Sequence, residues 1–404
     1  MQKIYLDNAA TTATDSRVIK AMEPYFNKVY GNAGSLHGAG RESSSVILKA
    51  RKTIAQILNC KPEEIIFTGS GTESDNLAIL GTAHALAKSN FGSGLSAHII
   101  TSNIEHHAVL HPCEQLAKEG FQIVYSKVDR DGILILNDFK NSIKDETILV
   151  SIMYANNEIG TIQPIEEIGK IIKEIRADRL KRAINTPIFF HTDACQAAGY
   201  LDLDVQKLGV DLLTLNGSKI YGPKGTGVLY VRTGTKVEPL ILGGGQEKGL
   251  RSGTENIAGI IGLAEALQLS QNRKEKESNR EKKLRDYFIK EISKKVSKIV
   301  VNGDAEKRLP NNINISILDI EGEAMLLWLD KYGVFCSTGS ACDSQSLEPS
   351  HVILALNRPY EYANGNLRFT LGKDTTKKDL DYVLKVLPKI VEDLRKISPV
   401  NVKV

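Results

Sequence analysis

The chain has 404 residues, 42% of them hydrophobic and 25% charged. That is the balance of an ordinary globular protein; it excludes a disordered or collagen-like chain, and the length points to two domains. Lys plus Arg number 52 and Asp plus Glu 48, so the net charge of +4 is too thin an excess to argue for direct nucleic-acid binding or an anionic membrane surface.

The opening MQKIYLDNAATT has no apolar core of a signal peptide, and no run approaches the roughly 20 apolar residues of a membrane span. A cytoplasmic protein with no membrane partner is expected. EEIIFTG (63–69) reads as a strand and SDNLAILGTAHALAK (74–88) as a helix. AHIIT (97–101) reads as a strand and HHAVLHPCEQLAKEG (106–120) as a helix. QIVYSKV and TILVSIMY are strands, PIEEIGKIIKEIRADRLKR is a helix, and PIFFHTD, DLLTLNGSK and GVLYV follow as strands. This βαβα rhythm, with nearly continuous apolar strands, predicts an α/β fold with a mostly parallel sheet covered on both faces. The rhythm stops near residue 260. Residues 271–298 are dense in charge, but Leu284, Phe288, Ile289 and Ile292 supply one apolar face. A long exposed helix marking the passage to a second domain is expected there. The remainder mixes strands (INISILD, NLRFTL) with helices (GEAMLLWLDKYG, KKDLDYVLKVLPKIVEDLRKI), an α+β pattern.

In open α/β sheets, ligands bind at the carboxyl ends of the strands. TGSGTESDN follows the first of them. Gly69 and Gly71 permit a tight turn and close approach, Ser70 and Thr72 offer hydroxyls, and the next helix presents free N–H groups. This is an anion site suited to a phosphate, or else a plain capped turn. It is neither GxGxxG nor a Walker A sequence. Asp193 ends the apolar run of FFHTDACQAAG, where an unpaired carboxylate is costly. A protonated pyridine nitrogen would serve as its partner; a helix cap is the alternative. Lys219 ends LLTLNGSK between two apolar runs and is a candidate for covalent chemistry with a carbonyl, whereas Lys224 sits in the YGPKG turn and is expected to be exposed. His106 and His107 follow AHIIT, where a histidine can act as acid or base or stack on a flat ligand.

STGSACDSQSLEPSH is rich in Gly, Ser and Ala and reads as a flexible exposed loop. Cys342 within it is either a thiolate that must reach something or a tolerated surface cysteine. Cys60, Cys113, Cys195 and Cys336 read as bystanders. Five cysteines are too few for a disulfide scaffold, and no CxxC pair or His/Cys/Asp cluster has metal-ligand spacing.

Taken in order, YLDNAATT, TGSGTESDNLAI, EHHAVL, NNEIGTIQPI, HTDACQAAG, KIYGPKGTG, GGGQEKGLRSGTENI, GSACDSQSLEPSHV and LRFTLG resemble the cysteine desulfurases of the NifS/IscS type over nearly the whole chain. Those are fold-type I enzymes dependent on pyridoxal 5'-phosphate (PLP), and the long loop around Cys342 is similar to their mobile-loop group rather than to the short-loop SufS group. The resemblance implies a seven-stranded, mostly parallel sheet. It implies a large PLP-binding domain over 15–262, and a small α+β domain over 1–14 plus 263–404 carrying the catalytic-cysteine loop. It implies that Lys219 binds PLP covalently, Asp193 pairs with the ring nitrogen, and Gln196 contacts the ring hydroxyl. His106 would stack on the ring and assist proton transfer. Gly71 and Thr72 would hold the phosphate. Thr254 would reach the phosphate of the neighbouring subunit of a homodimer. Asn156 would contact the cofactor and, with Arg368, hold the substrate carboxylate. Cys342 would accept sulfur from L-cysteine, releasing alanine, and pass it to an iron–sulfur scaffold or a tRNA-thiolating enzyme. It could also transiently ligate a cluster in such a complex.

Two departures stand out. The family usually has Ser-Gly-His before the lysine, and this chain has Asn216, Gly217 and Ser218, so an amide and a hydroxyl would replace an imidazole beside the cofactor. The chain also stops at SPVNVKV after its last predicted helix, so the longer scaffold-engaging tail is not expected. A selenocysteine lyase, an aminotransferase on the same scaffold, or a weakly active sulfur-relay partner are the alternative readings.

Overall fold

A computed structural model describes residues 3–90, 97–339 and 349–399, with backbone alone at 88–90. Seven strands form the large sheet in the order Ile65–Thr68, Gly227–Val231, Leu212–Asn216, Phe189–Asp193, Thr147–Ser151, His98–Ser102, Gln122–Ser126. Gly227–Val231 runs antiparallel to both its neighbours, and the other pairings are parallel. Six of the seven carboxyl ends therefore share one edge. Alternate residues of each strand feed two apolar layers. Phe67, Val150 and Leu213 pack with Ile54 and Ile172 on one face. Ile66, Leu149 and Leu212 pack with Leu77 and Leu116 on the other. Each such buried side chain contributes about 1.5–3 kcal/mol, which is why strands covered on both sides read as unbroken apolar runs.

The strand expected at 63–69 is shorter, because Pro62–Glu64 forms a 3-10 turn before it. Proline suits the first position of such a turn and cannot donate to a ladder. The helix expected at 74–88 begins earlier, at Gly71, and passes through a π-helical turn at Leu77–Gly81 before Thr82–Asn90. Ser70 caps it, its hydroxyl accepting from Glu73 N at 3.1 Å.

A second body of structure contains the antiparallel sheet of Ile299–Val301, Asn312–Ile317 and Asn366–Thr370, and a parallel pair, Ile4–Tyr5 with Val334–Phe335. Its apolar cluster includes Ile4, Leu6, Phe288, Ile315, Phe369 and Leu387. The helix Lys377–Ile397 closes it, started by a capping box between Thr376 and Asp379.

One helix, Ile257–Lys295, 39 residues long, serves both bodies. Ile260, Leu263 and Leu267 belong to the first cluster, and Phe288 and Ile292 to the second. The boundary expected at 262/263 thus falls inside a continuous helix. The expectation of an exposed helix over 271–298 is corrected in part. Glu281 and Arg285 are each 1% exposed, and Arg285 donates to the Leu309 carbonyl at 3.1 Å. A charge-dense sequence hides such residues because a long side chain can bury its stem and still satisfy its head. No helix among the described residues is long and apolar enough to cross a membrane.

Candidate active site

A cavity of about 240 Å³ opens at the shared edge of strand ends. Four turns supply its first wall, and each is locally built. After Ile65–Thr68, Gly71 starts a helix whose N-terminus faces the cavity, with Thr72 beside it. Gly71 has an ordinary helical φ, so the expectation that it serves a tight turn is corrected. A Cβ there would stand 2.8 Å from Cys195 Sγ and 3.2 Å from Asn216 Cβ, so close packing is what demands glycine. After His98–Ser102, His106 caps the helix His107–Lys118, and its Nδ1 accepts from Ala108 N at 3.0 Å. An accepting Nδ1 puts the proton of the neutral ring on Nε2. Burial lowers the His106 pKa, with Asp193 opposing and Lys219 adding to the depression, which favours that neutral form.

Asp193 ends its strand at 8% exposure and accepts from Cys195 N at 2.9 Å. The helix that Asp193 is alternatively expected to cap does not form, since turns follow the strand; the bond from Cys195 N caps the first of them and leaves the carboxylate on the cavity wall. Lys219 ends the 3-10 turn Gly217–Lys219, and its Nζ donates to the carbonyls of Ala9 at 2.9 Å and Ala10 at 2.6 Å. Gln196 Nε2 donates to the same Ala9 carbonyl at 3.0 Å. Lys224 is exposed and donates to the Thr12 carbonyl, outside this cavity.

The second wall comes from the other body. Arg368, 3% exposed, donates to the Asn157 carbonyl at 3.0 Å and to Asp7 Oδ1 at 2.8 Å. Its Nε is buried and has no hydrogen-bond partner among the described residues.

Lys219, Asp193, Gln196, Gly71, Thr72, His106, Asn216 and Arg368 thus surround one space. Three expected residues do not. Asn156 is fully buried: its Oδ1 accepts from Glu158 N at 2.8 Å and Ile159 N at 3.0 Å, and its Nδ2 donates to the Ile104 carbonyl at 2.8 Å. An amide so occupied has nothing left for a ligand, and Asn157 lines the cavity instead. Ser218 turns its hydroxyl to Asn216 Oδ1 at 3.0 Å, away from the lining. Thr254 is exposed and does not line this chain's cavity. Cys342 lies outside the described residues.

Sequence reasoning missed Asp75. Asp75 is 1% exposed and lines the cavity. Burial, then the neighbouring Asp193 charge, raises its pKa well above the carboxylate range. Asp75 is thus the carboxyl group that burial and its neighbour's charge push toward the neutral form. An acidic residue four positions into a helix that starts at a strand end is the signal that was available. Cys195, read as a bystander, lies in the cavity wall, but burial and then Asp193 raise its pKa well above the thiol range. Cys60 and Cys113 are likewise pushed up to about 12, chiefly by burial. None of these three is a thiolate at neutral pH.

Known proteins are similar to this chain in sequence and fold. The aminotransferase class-V family model matches residues 4–383. A protein of Dictyoglomus turgidum described as cysteine desulfurase IscS is 52% identical, the match covering 98% of this chain and 97% of that one. One of the same description from Methanosarcina thermophila is 48% identical, covering 99% and 95%. Among solved structures, a NifS-like protein superposes with a TM-score of 0.88 at 35% identity, covering 97% of this chain and all of the other. A NifS-like protein of Rickettsia africae gives 0.83 at 29%, with the same coverage. Sequence, sheet topology and the gathering of lysine, aspartate and histidine at one sheet edge therefore converge, and the chain belongs to the aminotransferase class-V family, among its cysteine desulfurases of the IscS/NifS type.

Proposed function

We propose that this cysteine desulfurase moves sulfur from L-cysteine to the thiol of Cys342 and releases L-alanine. The observation that carries the reading is the cavity itself, where Lys219, Asp193 and His106 on one wall face Arg368 on the other. The residues present fit PLP. A helix N-terminus at Gly71 and Thr72 suits its phosphate, a buried carboxylate at Asp193 suits its ring N–H, and a lysine stands between two walls. When bound, PLP withdraws electrons from the amino acid's Cα and Cβ.

Around it, the chain's own residues do the rest. Arg368 and Asn157, both in the cavity lining, hold the substrate carboxylate. Lys219 takes the Cα proton and returns one to the substrate carbon. His106 donates through Nε2. The Cys342 thiolate attacks the substrate sulfur: an S–S bond forms, the Cβ–S bond breaks, and its electron pair is protonated to the methyl group of alanine. Enzyme persulfide plus alanine balance enzyme thiol plus cysteine. Splitting the transfer in two lets the sulfur wait on the protein for an acceptor.

That acceptor is a second protein, an iron–sulfur scaffold or a tRNA-thiolating enzyme; the thin net positive charge argues against tRNA as a direct partner. We also read the protein as a cytoplasmic homodimer. The exposure of Thr254 supports a contact to the neighbouring subunit's phosphate, and the described cysteines are all free thiols. The deciding experiment measures alanine formed from L-cysteine by wild type and Cys342→Ser. The variant is expected to lose turnover; normal turnover without a thiol reductant would sink the persulfide role.

A further inference from the structure

The described chain on either side of residues 340–348 meets one buried side chain, Glu158. Ser350 Oγ donates to Glu158 Oε2 at 2.5 Å. On the other side, a Cβ on Gly339 would overlap that same oxygen. Gly339 does not have a positive φ, so the carboxyl group, not the backbone, excludes a side chain there. Gly339 N also donates to Asn366 Oδ1 at 3.0 Å.

Glu158 is itself held from several directions. Its N–H donates to Asn156 Oδ1, and its carbonyl accepts from Asn312 at 3.0 Å and Asn314 at 3.1 Å. Its neighbour Asn157 accepts from Arg368. Arg368 in turn exchanges two backbone hydrogen bonds with Ser337, two residues before Gly339. The carboxyl group is 4% exposed, and burial raises its pKa to about 7. A carboxyl group this deep is costly to keep unless its position has a use.

We infer that Glu158 is a positioning residue: its carboxyl group hydrogen-bonds one root of the Cys342 segment, at Ser350, and packs against the other, at Gly339, beside the Asn157–Arg368 cradle, and so sets where that segment begins and ends relative to bound substrate. The functional consequence rests on the reading of Cys342 as sulfur acceptor. The anchoring itself does not.

The test uses PLP-loaded enzyme and two measurements on each variant. One is the rate at which iodoacetamide alkylates Cys342, followed on its peptide by mass spectrometry. The other is kcat and KM for alanine formation from L-cysteine. Glu158→Ala is expected to speed alkylation roughly threefold or more. It is expected to lower kcat about tenfold or more, with KM nearly unchanged. Glu158→Gln, which keeps an acceptor for Ser350, is expected to restore both. Gly339→Ala is expected to be impaired alone and partly rescued by Glu158→Ala, because truncation removes the oxygen that the new methyl group meets. If Glu158→Ala does not fold, Ser350→Ala carries the same alkylation expectation. An alkylation rate at the wild-type level in these variants, or a loss that Glu158→Gln does not restore, overturns the inference. Cys342→Ser turning over normally would instead remove the sulfur-acceptor reading, and the alkylation result would still decide for or against Glu158.

Discussion

The two walls of the cavity are built in opposite ways. On the sheet-edge wall, each side chain is set by its own turn. Ala108 N bonds to His106, Cys195 N to Asp193 and Ser218 N to Asn216, each across two residues. On the other wall nothing is local. Arg368 is held by Asp7, 361 positions away, and by Asn157, 211 away. The lysine bridges the two regimes, placed by a local turn but donating to Ala9, 210 positions distant. A locally built wall tolerates loss of one member without losing the others, whereas a wall of long-range bonds stands or falls with the packing of two bodies.

The largest effect is expected at the bridge between them. Lys219→Ala removes the group proposed to move the Cα proton. Alanine formation should fall about 10²–10⁴-fold even with added PLP. A retained rate would break the assignment of the sheet-edge wall.

Next is Arg368→Lys, which keeps the charge but loses the planar fork. KM for L-cysteine should rise about tenfold or more, on the scale of one charged hydrogen bond. A fall in kcat at constant KM would show that this wall does not hold the substrate. The neighbouring asparagines sharpen the same point. Asn156→Ala should cost about 2–3 kcal/mol in urea unfolding, from buried backbone groups left unpaired. Asn157→Ala should leave stability within about 0.5 kcal/mol and raise KM. The reverse pattern would return the substrate role to Asn156.

The smallest effect belongs to a group on neither wall. Burial raises the Glu281 pKa from 4.5 to about 8, with Tyr200 opposing. A carboxyl group raised in the folded state favours folding most below its unfolded value, and that contribution is lost as pH climbs through the folded value. Thermal melts of the apo-protein from pH 5 to 9 should therefore slope downward less in Glu281→Gln than in wild type. An unchanged slope would mean that Glu281 is not the buried acid.

The sheet and its lysine, aspartate and histidine were legible because the signals are local. Apolar runs of four or five residues ended in Thr-Gly, His-Thr-Asp or Asn-Gly-Ser-Lys, and a strand end fixes the direction of the next few residues. The choice between Asn156 and Asn157 was not legible. Adjacent identical residues differ only in which one the backbone of Glu158 and Ile159 captures. That Cys195, though inert, forms part of the wall was not legible, because its residue type carries no sign of the neighbours it packs against, Gly71 and Asn216. The helix through 262/263 was missed as a single element because its apolar face changes partner midway, from one cluster to the other.

By itself, then, the order of residues determined the α/β rhythm, the edge on which the chemistry gathers and the residue types that perform it, since each depends on spacing within one strand and one turn. Only the tertiary structure decided which asparagine lines the cavity, that Asp75 shares the cavity with Asp193, and that one glutamate meets both roots of the cysteine segment. Those depend on contacts between residues tens to hundreds of positions apart, which form only when separate apolar faces find the same core.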